Sequence, residues 1–327
     1  MTAPDPDERA PMRIAAAQAR PAWLDPDATT RIVVDHLQRA AADGVDLLAF
    51  PEAFLSGYPV WVSRTGGAAF EDAAQKRAYA AYLDAAVTLD GSQVAEVVTA
   101  ARDLGIFTYL GITERGHGPA RGTVFATLLA VDPHRGLVSA HRKLRPTHEE
   151  RLVWGAGDGH GLRVHEHRAV RVGGLNCWEN WMPQARHALY AGGEDVHVSV
   201  WPGSTRLTRD ITRFVALEGR VYSLAAGALL SIDDIPGDFP LYGELLAAEE
   251  ELGPLSYDGG SAIAGPDGEW LVEPVAGKET IVTADVDPAR VREARQSFDP
   301  TGHYARPDVF RVQVDRRRLS AAEFLDS

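Results

Sequence analysis

The stretch Val170–Trp201, VRVGGLNCWENWMPQARHALYAGGEDVHVSVW, decides how the chain is read. Val170–Asn176 is a short apolar run that reads as a strand and leads straight into Cys177. Met182–Ala191 reads as a helix stopped by Gly192-Gly193, and Val196–Trp201 (VHVSVW) as another strand. The same alternation extends in both directions. Upstream, strands are predicted at Arg13–Ala19, Val45–Phe50, Ile106–Thr113 and Thr123–Val131. Helices are predicted at Thr29–Asp43, Ala68–Ala86 and Ser92–Leu104. Downstream come a helix at Thr208–Arg220, strands at Val221–Ile232 and Gly260–Ala264, a hairpin around Pro266-Asp267-Gly268, a strand at Glu279–Val286 and a helix from Asp287 to Arg295. Such alternation predicts an α/β fold with helices covering sheet faces. Asp233–Tyr257 stands apart. Rich in Pro, Gly and acids, it breaks the pattern and reads either as a long surface loop or as an interface or lid.

The bulk properties restrict the function classes. A chain of 327 residues, 45% hydrophobic, has ample material for a core. A net charge of −13 argues against a nucleic-acid or anionic-membrane partner. One cysteine allows no intrachain disulfide and fits a reducing compartment, and no CxxC or His/Cys pair has zinc spacing, so no metal is expected. Met1–Arg9 is polar and lacks the apolar core of a signal peptide, and no run approaches the ~18 apolar residues of a membrane span. These features predict a cytoplasmic protein with a flexible N-terminal tail over 1–11, one domain over 12–315 and a C-terminal tail over 316–327.

Cys177 has two readings. A lone cysteine is more often a small buried hydrophobe. Its place at the end of a strand is also where α/β folds set their sites, close to backbone N–H groups that can bind a developing anion. A thiol needs a base to attack as thiolate. None of the eleven histidines is an obvious partner. Glu52, in FPEAFLSGYP, is either a solvated loop residue or a carboxylate desolvated by apolar neighbours and so tuned toward a base. Lys143, in HRKLRPTHEERLVWGAGDG, is either a surface lysine or a cation beside a developing negative charge, with Glu149, Glu150 and Trp154 close behind.

These three stretches, in this order, resemble the Glu, Lys and Cys motifs of the nitrilase superfamily of carbon–nitrogen hydrolases. Cys-Trp-Glu-Asn followed by Met-Pro, the ERLVWGAGDG phrase and DPTGHYARPDVF (Asp299–Phe310) resemble the nitrilase branch in particular. The resemblance spans about Arg13 to Phe310. It implies a four-layer α-β-β-α sandwich. It also implies Cys177 as nucleophile, Glu52 as general base, Lys143 as charge stabiliser and Glu150 as a supporting carboxylate, with Glu149 an exposed neighbour.

The implied reaction converts an organic nitrile to the carboxylic acid and ammonia through a thioimidate and a thioester on Cys177. The backbone N–H of Trp178 assists, and no cofactor takes part. The alternatives are an aliphatic amidase or N-carbamoyl hydrolase, with a cyanide hydratase or dihydratase and a non-catalytic binding member behind them. Tyr58, Trp61, Trp181 and Trp201 either line an apolar pocket or belong to the core. If they line it, an aryl or arylaliphatic nitrile fits better than hydrogen cyanide. The resemblance further implies a homodimer or larger homo-oligomer, extending to a spiral, with Asp233–Tyr257 a candidate second interface. Arg311–Arg318 (RVQVDRRR) reads as an interface segment or a solvated end.

Overall fold

A computed structural model describes residues 11–322. The tail expected over 1–11 lies outside the described residues except for Pro11, and so does the end of the C-terminal tail, 323–327. The first sheet contains β1 (Met12–Gln18), β2 (Leu47–Ala49), β3 (Phe107–Arg115), β4 (Val124–Asp132) and β5 (Gly136–Arg142) side by side. The second contains β6 (His165–His167), β7 (Val170–Asn176), β8 (Val196–Trp201) and β9 (Tyr222–Gly227). Beyond β9 lies β11 (Ser256–Ala264), which pairs with β10 (Leu229–Ser231) and β12 (Trp270–Ala276). The last strand, β13 (Thr280–Val286), returns to the first sheet and pairs antiparallel with β1. Strands β1–β2–β3 and β7–β8–β9 are parallel, as strand–helix–strand connections require.

Alternate side chains of the two sheets meet in one apolar layer. Ile14, Leu47, Phe107 and Leu128 come from the first sheet, and Val172, Val198, Leu224 and Ile263 from the second. The residues between them point outward under helices. Over the first sheet, Leu48, Leu110 and Leu129 lie beneath α1 (Pro26–Ala42, through Val33, Leu37 and Ala40) and α4 (Ser92–Leu104, through Val94, Val97 and Ala101). Over the second, Leu175 and Ala225 lie beneath α5 (Pro183–Ala191) and α6 (Thr205–Gly219). Both faces of each sheet are therefore covered, which is the expected four-layer α-β-β-α sandwich.

Local chemistry sets the helix ends. Asp25 caps α1 by accepting the Ala28 N–H at 2.8 Å, with Pro26 in the first turn. The helix predicted over Ala68–Ala86 is α3 (Ala73–Asp84), which starts later because Asp72 caps the Gln75 N–H, and a short unpredicted helix, α2 (Trp61–Arg64), precedes it. The strand predicted over Val221–Ile232 breaks into β9 and β10, while β5 and β6 had no predicted counterpart.

Asp233–Tyr257 is not a surface loop. It holds α7 (Tyr242–Leu252), and Ile235, Phe239, Leu241 and Leu245 are buried against Trp23 and Trp61. Helix α8 (Pro288–Arg295), capped by Asp287, follows β13. Past it, the run 311–318 forms neither helix nor strand, but Arg318 bonds Asp158 and the Ala140 carbonyl, and the Leu319 N–H bonds Asp158.

Candidate active site

Three strand ends converge. Glu52 lies just past β2, Lys143 directly after β5 and Cys177 directly after β7. The Glu52 loop is strapped across β3 by the Phe50 N–H on the Tyr109 carbonyl (2.8 Å) and the Leu55 N–H on the Gly111 carbonyl (3.3 Å). It lies so close that a Cβ on Gly111 would sit 2.0 Å from the Pro51 carbonyl, so this position needs glycine. The loop turns at Ala53, with φ at 51°. Cys177 also takes a left-handed φ, 47°, and opens the 3-10 turn Cys177–Trp181. A non-glycine residue held in this region marks a turn that its surroundings enforce, a feature that clusters at functional sites.

The three functional groups and Glu150 form one buried cluster. Lys143 Nζ donates to Glu52 Oε1 at 2.8 Å and to Glu150 Oε2 at 2.7 Å. Glu150 also accepts the Thr147 N–H at 2.6 Å and the Tyr58 hydroxyl at 2.7 Å, so its carboxylate is saturated. Glu52 is not saturated, because its second oxygen is buried without a partner. Ligand atoms of Glu52, Glu150 and Cys177 lie within 4.8 Å of one another, a spacing that could hold a metal ion. Here the Lys143 ammonium already bridges the two carboxylates and supplies the positive charge.

The electrostatics follow from one cation shared by two acids in a dry site. Burial pushes the Glu52 carboxyl up to about 8, because Lys143 offsets only part of the desolvation and Glu150 adds to it. Burial also pushes the Cys177 thiol well up, against the pull of Lys143 and a hydrogen bond from the Trp178 N–H. For Lys143, burial favours the neutral amine, but the Cys177 thiolate, Glu52 and Glu150 outweigh it and keep the ammonium charged. A raised Glu52 is better matched to take the proton of the neighbouring thiol than an ordinary carboxylate would be.

Of the expected pocket residues, Tyr58 is in the cluster through Glu150. Trp178 contributes its backbone N–H, while its side chain is 44% exposed. Trp201 is fully buried behind Cys177 with Ile211 and Val215, and its carbonyl accepts the Glu52 N–H. Trp61 is core beside Trp23 and Tyr82, and Trp181 stacks on Phe214 at the surface. Two further aromatics, outside the expected pocket residues, stand beside Tyr58. Trp154 and Tyr257 each meet the Tyr58 ring edge-on, and Lys143 Nζ lies 5.4 Å from the Trp154 ring. Tyr257 is near enough to feel the charges of Glu150 and Cys177. Trp154 stands in the quoted ERLVWGAGDG phrase, while nothing in the flanks of Tyr257 marks it.

Two buried residues of the Cys177 turn carry contacts that the motif alone does not explain. Glu179 accepts the Asn176 N–H (2.9 Å), the Leu144 N–H (2.5 Å) and His141 Nε2 (3.1 Å), tying the Cys turn to the Lys143 segment. Asn180 donates to the Cys177 carbonyl at 2.7 Å.

A buried Glu–Lys–Cys cluster at the strand ends of an α-β-β-α sandwich defines a class. The carbon–nitrogen hydrolase family pattern matches residues 13–296, and the chain belongs to that family. Over 94% of its length it is 34% identical to an aliphatic nitrilase of Rhodococcus rhodochrous, covering 84% of that protein. It is 38% identical to a nitrilase of Bradyrhizobium diazoefficiens, over 86% of this chain and 85% of that one. Among solved structures it resembles a superfamily protein of Xanthomonas campestris that carries an arsenic adduct in its active site. The TM-score is 0.65 at 22% identity, over 89% of this chain and 96% of that one. Among the described residues, no helix is long and apolar enough to cross a membrane.

Proposed function

We propose that the protein is a nitrilase in which Cys177 is the nucleophile, Glu52 the base and Lys143, backed by Glu150, the charge stabiliser. Glu52 takes the Cys177 proton, and the sulfur adds to the nitrile carbon. The nitrogen takes up a proton, giving a thioimidate. Lys143 and the Trp178 N–H stabilise the charge that builds on nitrogen. Water, deprotonated by Glu52, adds to the same carbon, and both of its protons end on nitrogen, one returned by Glu52 and one given up by the new hydroxyl as the C=O forms and ammonia leaves. The resulting thioester is cleaved by a second water, releasing the carboxylic acid and the free thiol.

One observation carries this reading. Lys143 is locked between Glu52 and Glu150 beside a buried thiol, while one Glu52 oxygen is left free for proton transfer. The nitrile is favoured over an amide by the nitrilase relatives, which align with nearly the whole chain. Tyr58, Trp154 and Tyr257 pack edge-on beside the cluster, and taking them as the walls of the substrate site favours an aryl or arylaliphatic nitrile.

Ammonia release is measured on aliphatic, aryl and arylacetonitriles and on the matching amides, with Cys177→Ala as control. Nitrile turnover that vanishes in the variant is expected. Amide turnover without nitrile turnover would make the protein an amidase or carbamoylase, and an active Cys177→Ala would refute the mechanism.

The same reading includes a single catalytic domain over 12–315, a cytoplasmic setting and a homo-oligomer. Exposed Trp178, Trp181, Phe214 and Leu217 on the α5–α6 side support an assembly face. Light scattering that finds a strict monomer would contradict the oligomer.

A further inference from the structure

Behind the nucleophile runs a second buried polar chain that takes no part in the proton transfers above. Asn180 Nδ2 donates to the Cys177 carbonyl at 2.7 Å and approaches the Leu175 carbonyl at 3.5 Å. Its Oδ1 lies 2.7 Å from His197 Nε2. His197 Nδ1 lies 3.0 Å from Glu194 Oε1. All three side chains are fully buried, and Arg186 bonds the Asn180 carbonyl at 2.7 Å.

The protons in this chain can be placed by elimination. The amide face toward Cys177 must be the NH2, because the other orientation sets two carbonyl-type oxygens against each other. Oδ1 then faces His197, so Nε2 must carry hydrogen. One proton is left to be shared between Nδ1 and Glu194, and the Glu194–His197 pair stays neutral overall whichever atom holds it.

The consequence reaches the reaction through one peptide. In a trans peptide the C=O and N–H point in opposite directions. Drawing the Cys177 carbonyl back onto Asn180 therefore turns the Trp178 N–H forward, to where it bonds the Cys177 sulfur. The carbonyl anchor also sits on the residue whose φ is 47°. We propose that Asn180 is a positioning residue, oriented by His197 and Glu194, that fixes the Cys177–Trp178 peptide and so aims the Trp178 N–H at the charge forming on the substrate. The proposal rests on the assignment of Cys177 as nucleophile.

The test separates aim from integrity by two reactions of the same thiol. Nitrile or amide turnover needs the Trp178 N–H in the transition state, whereas alkylation by iodoacetamide builds no charge that this N–H would meet on the electrophile. Asn180→Ala is expected to lower kcat roughly 10- to 100-fold, the scale of a misaimed oxyanion donor, with KM changed by less than about threefold. Its alkylation rate should fall by less than about fivefold. Glu194→Gln, whose side-chain amide can still hold Nδ1 and keep hydrogen on Nε2, should preserve kcat, whereas His197→Phe should lose it as Asn180→Ala does.

Equal losses of turnover and alkylation in Asn180→Ala would mean general collapse of the turn and overturn the proposal. So would unchanged turnover, or equal loss in Glu194→Gln and His197→Phe. If Asn180→Ala does not fold, the pair of Glu194→Gln and His197→Phe decides alone. An inactive wild type, or an active Cys177→Ala, would instead refute the functional reading itself.

Discussion

Replacing Glu150 by glutamine removes a charge and little else. In Glu150→Gln the amide oxygen, set in the place of Oε2, can accept both Lys143 and the Thr147 N–H. The amide NH2 then faces Tyr58, whose hydroxyl turns to accept. The fold keeps its hydrogen bonds, and the effect is electrostatic. Glu150 lies no more than 4.8 Å from the ligand atoms of Glu52 and Cys177. At that distance, with an effective dielectric of about 20, one charge is worth about 3.5 kcal/mol, or roughly two and a half pH units. Lys143, lying between, screens part of this, so a shift of about two units is expected.

The sign follows from the roles. Glu150 raises both Glu52 and the thiol, so removing its charge lowers both. Glu52 must be unprotonated to act, so wild-type kcat/KM should fall as pH drops through about 8. In Glu150→Gln that limb moves down by about two units, and the plateau drops because the base is weaker. The assays are the pH profile of kcat/KM and the pH profile of iodoacetamide alkylation. With a single cysteine in the chain, the alkylation reports on Cys177 alone. The pair titrates together, so both profiles should move together. A limb that stays in place, or moves upward, would refute the assigned coupling.

Three other outcomes are expected. In Glu179→Gln one amide N–H must face either the Asn176 or the Leu144 backbone N–H, which bond different carboxylate oxygens, and the change should cost about 1–3 kcal/mol in urea unfolding. Burial opposes the Glu179 charge, but His141 and the two backbone N–H groups hold its carboxyl below the usual range. Its contribution is therefore present above pH ~4.3 and lost as pH falls below it, so the wild-type advantage should shrink in acid; a constant difference would count against this. Tyr257→Ala should shift relative kcat/KM toward bulkier arylaliphatic nitriles by roughly tenfold, and an unchanged ratio would place the substrate elsewhere. Arg318→Ala frees the segment anchored on Asp158, so hydrogen exchange near 316–322 should rise while global stability changes by less than about 1 kcal/mol.

Much of the architecture was legible because periodicity is local. The Val170–Asn176 strand and the helix and strand that follow it match their predicted spans within a residue or two. The nucleophile and the base each follow a predicted strand, whereas the cation follows β5, which the sequence does not announce. Asp233–Tyr257 reads as a loop because its Pro, Gly and Glu content hides the spacing of Leu241, Leu245 and Ala248, which is helical and buried. The signals of β5 and β6 are too short or too polar to stand out. The Asn180–His197–Glu194 chain was invisible for another reason. His197 meets Asn180 only once β7 and β8 lie parallel with Gly173 opposite His197, and no window of sequence contains that register. Tyr257 likewise meets Tyr58, distant in sequence, only once β11 is held in place by its pairing with β10 at Leu230.

The pairing of β1 with β13 has a consequence for synthesis. In the nascent chain β1, Met12–Gln18, finds β2 early, but its other edge matches Val286 through Thr280. At about 5–20 residues per second, the nascent chain spends roughly tens of seconds with that edge unfilled. An unfilled apolar edge is a template for pairing with a neighbouring chain. Truncation before Thr280 would make this transient hazard permanent. The thiol segment, made midway, would then belong to a polypeptide prone to aggregate before it could turn over substrate.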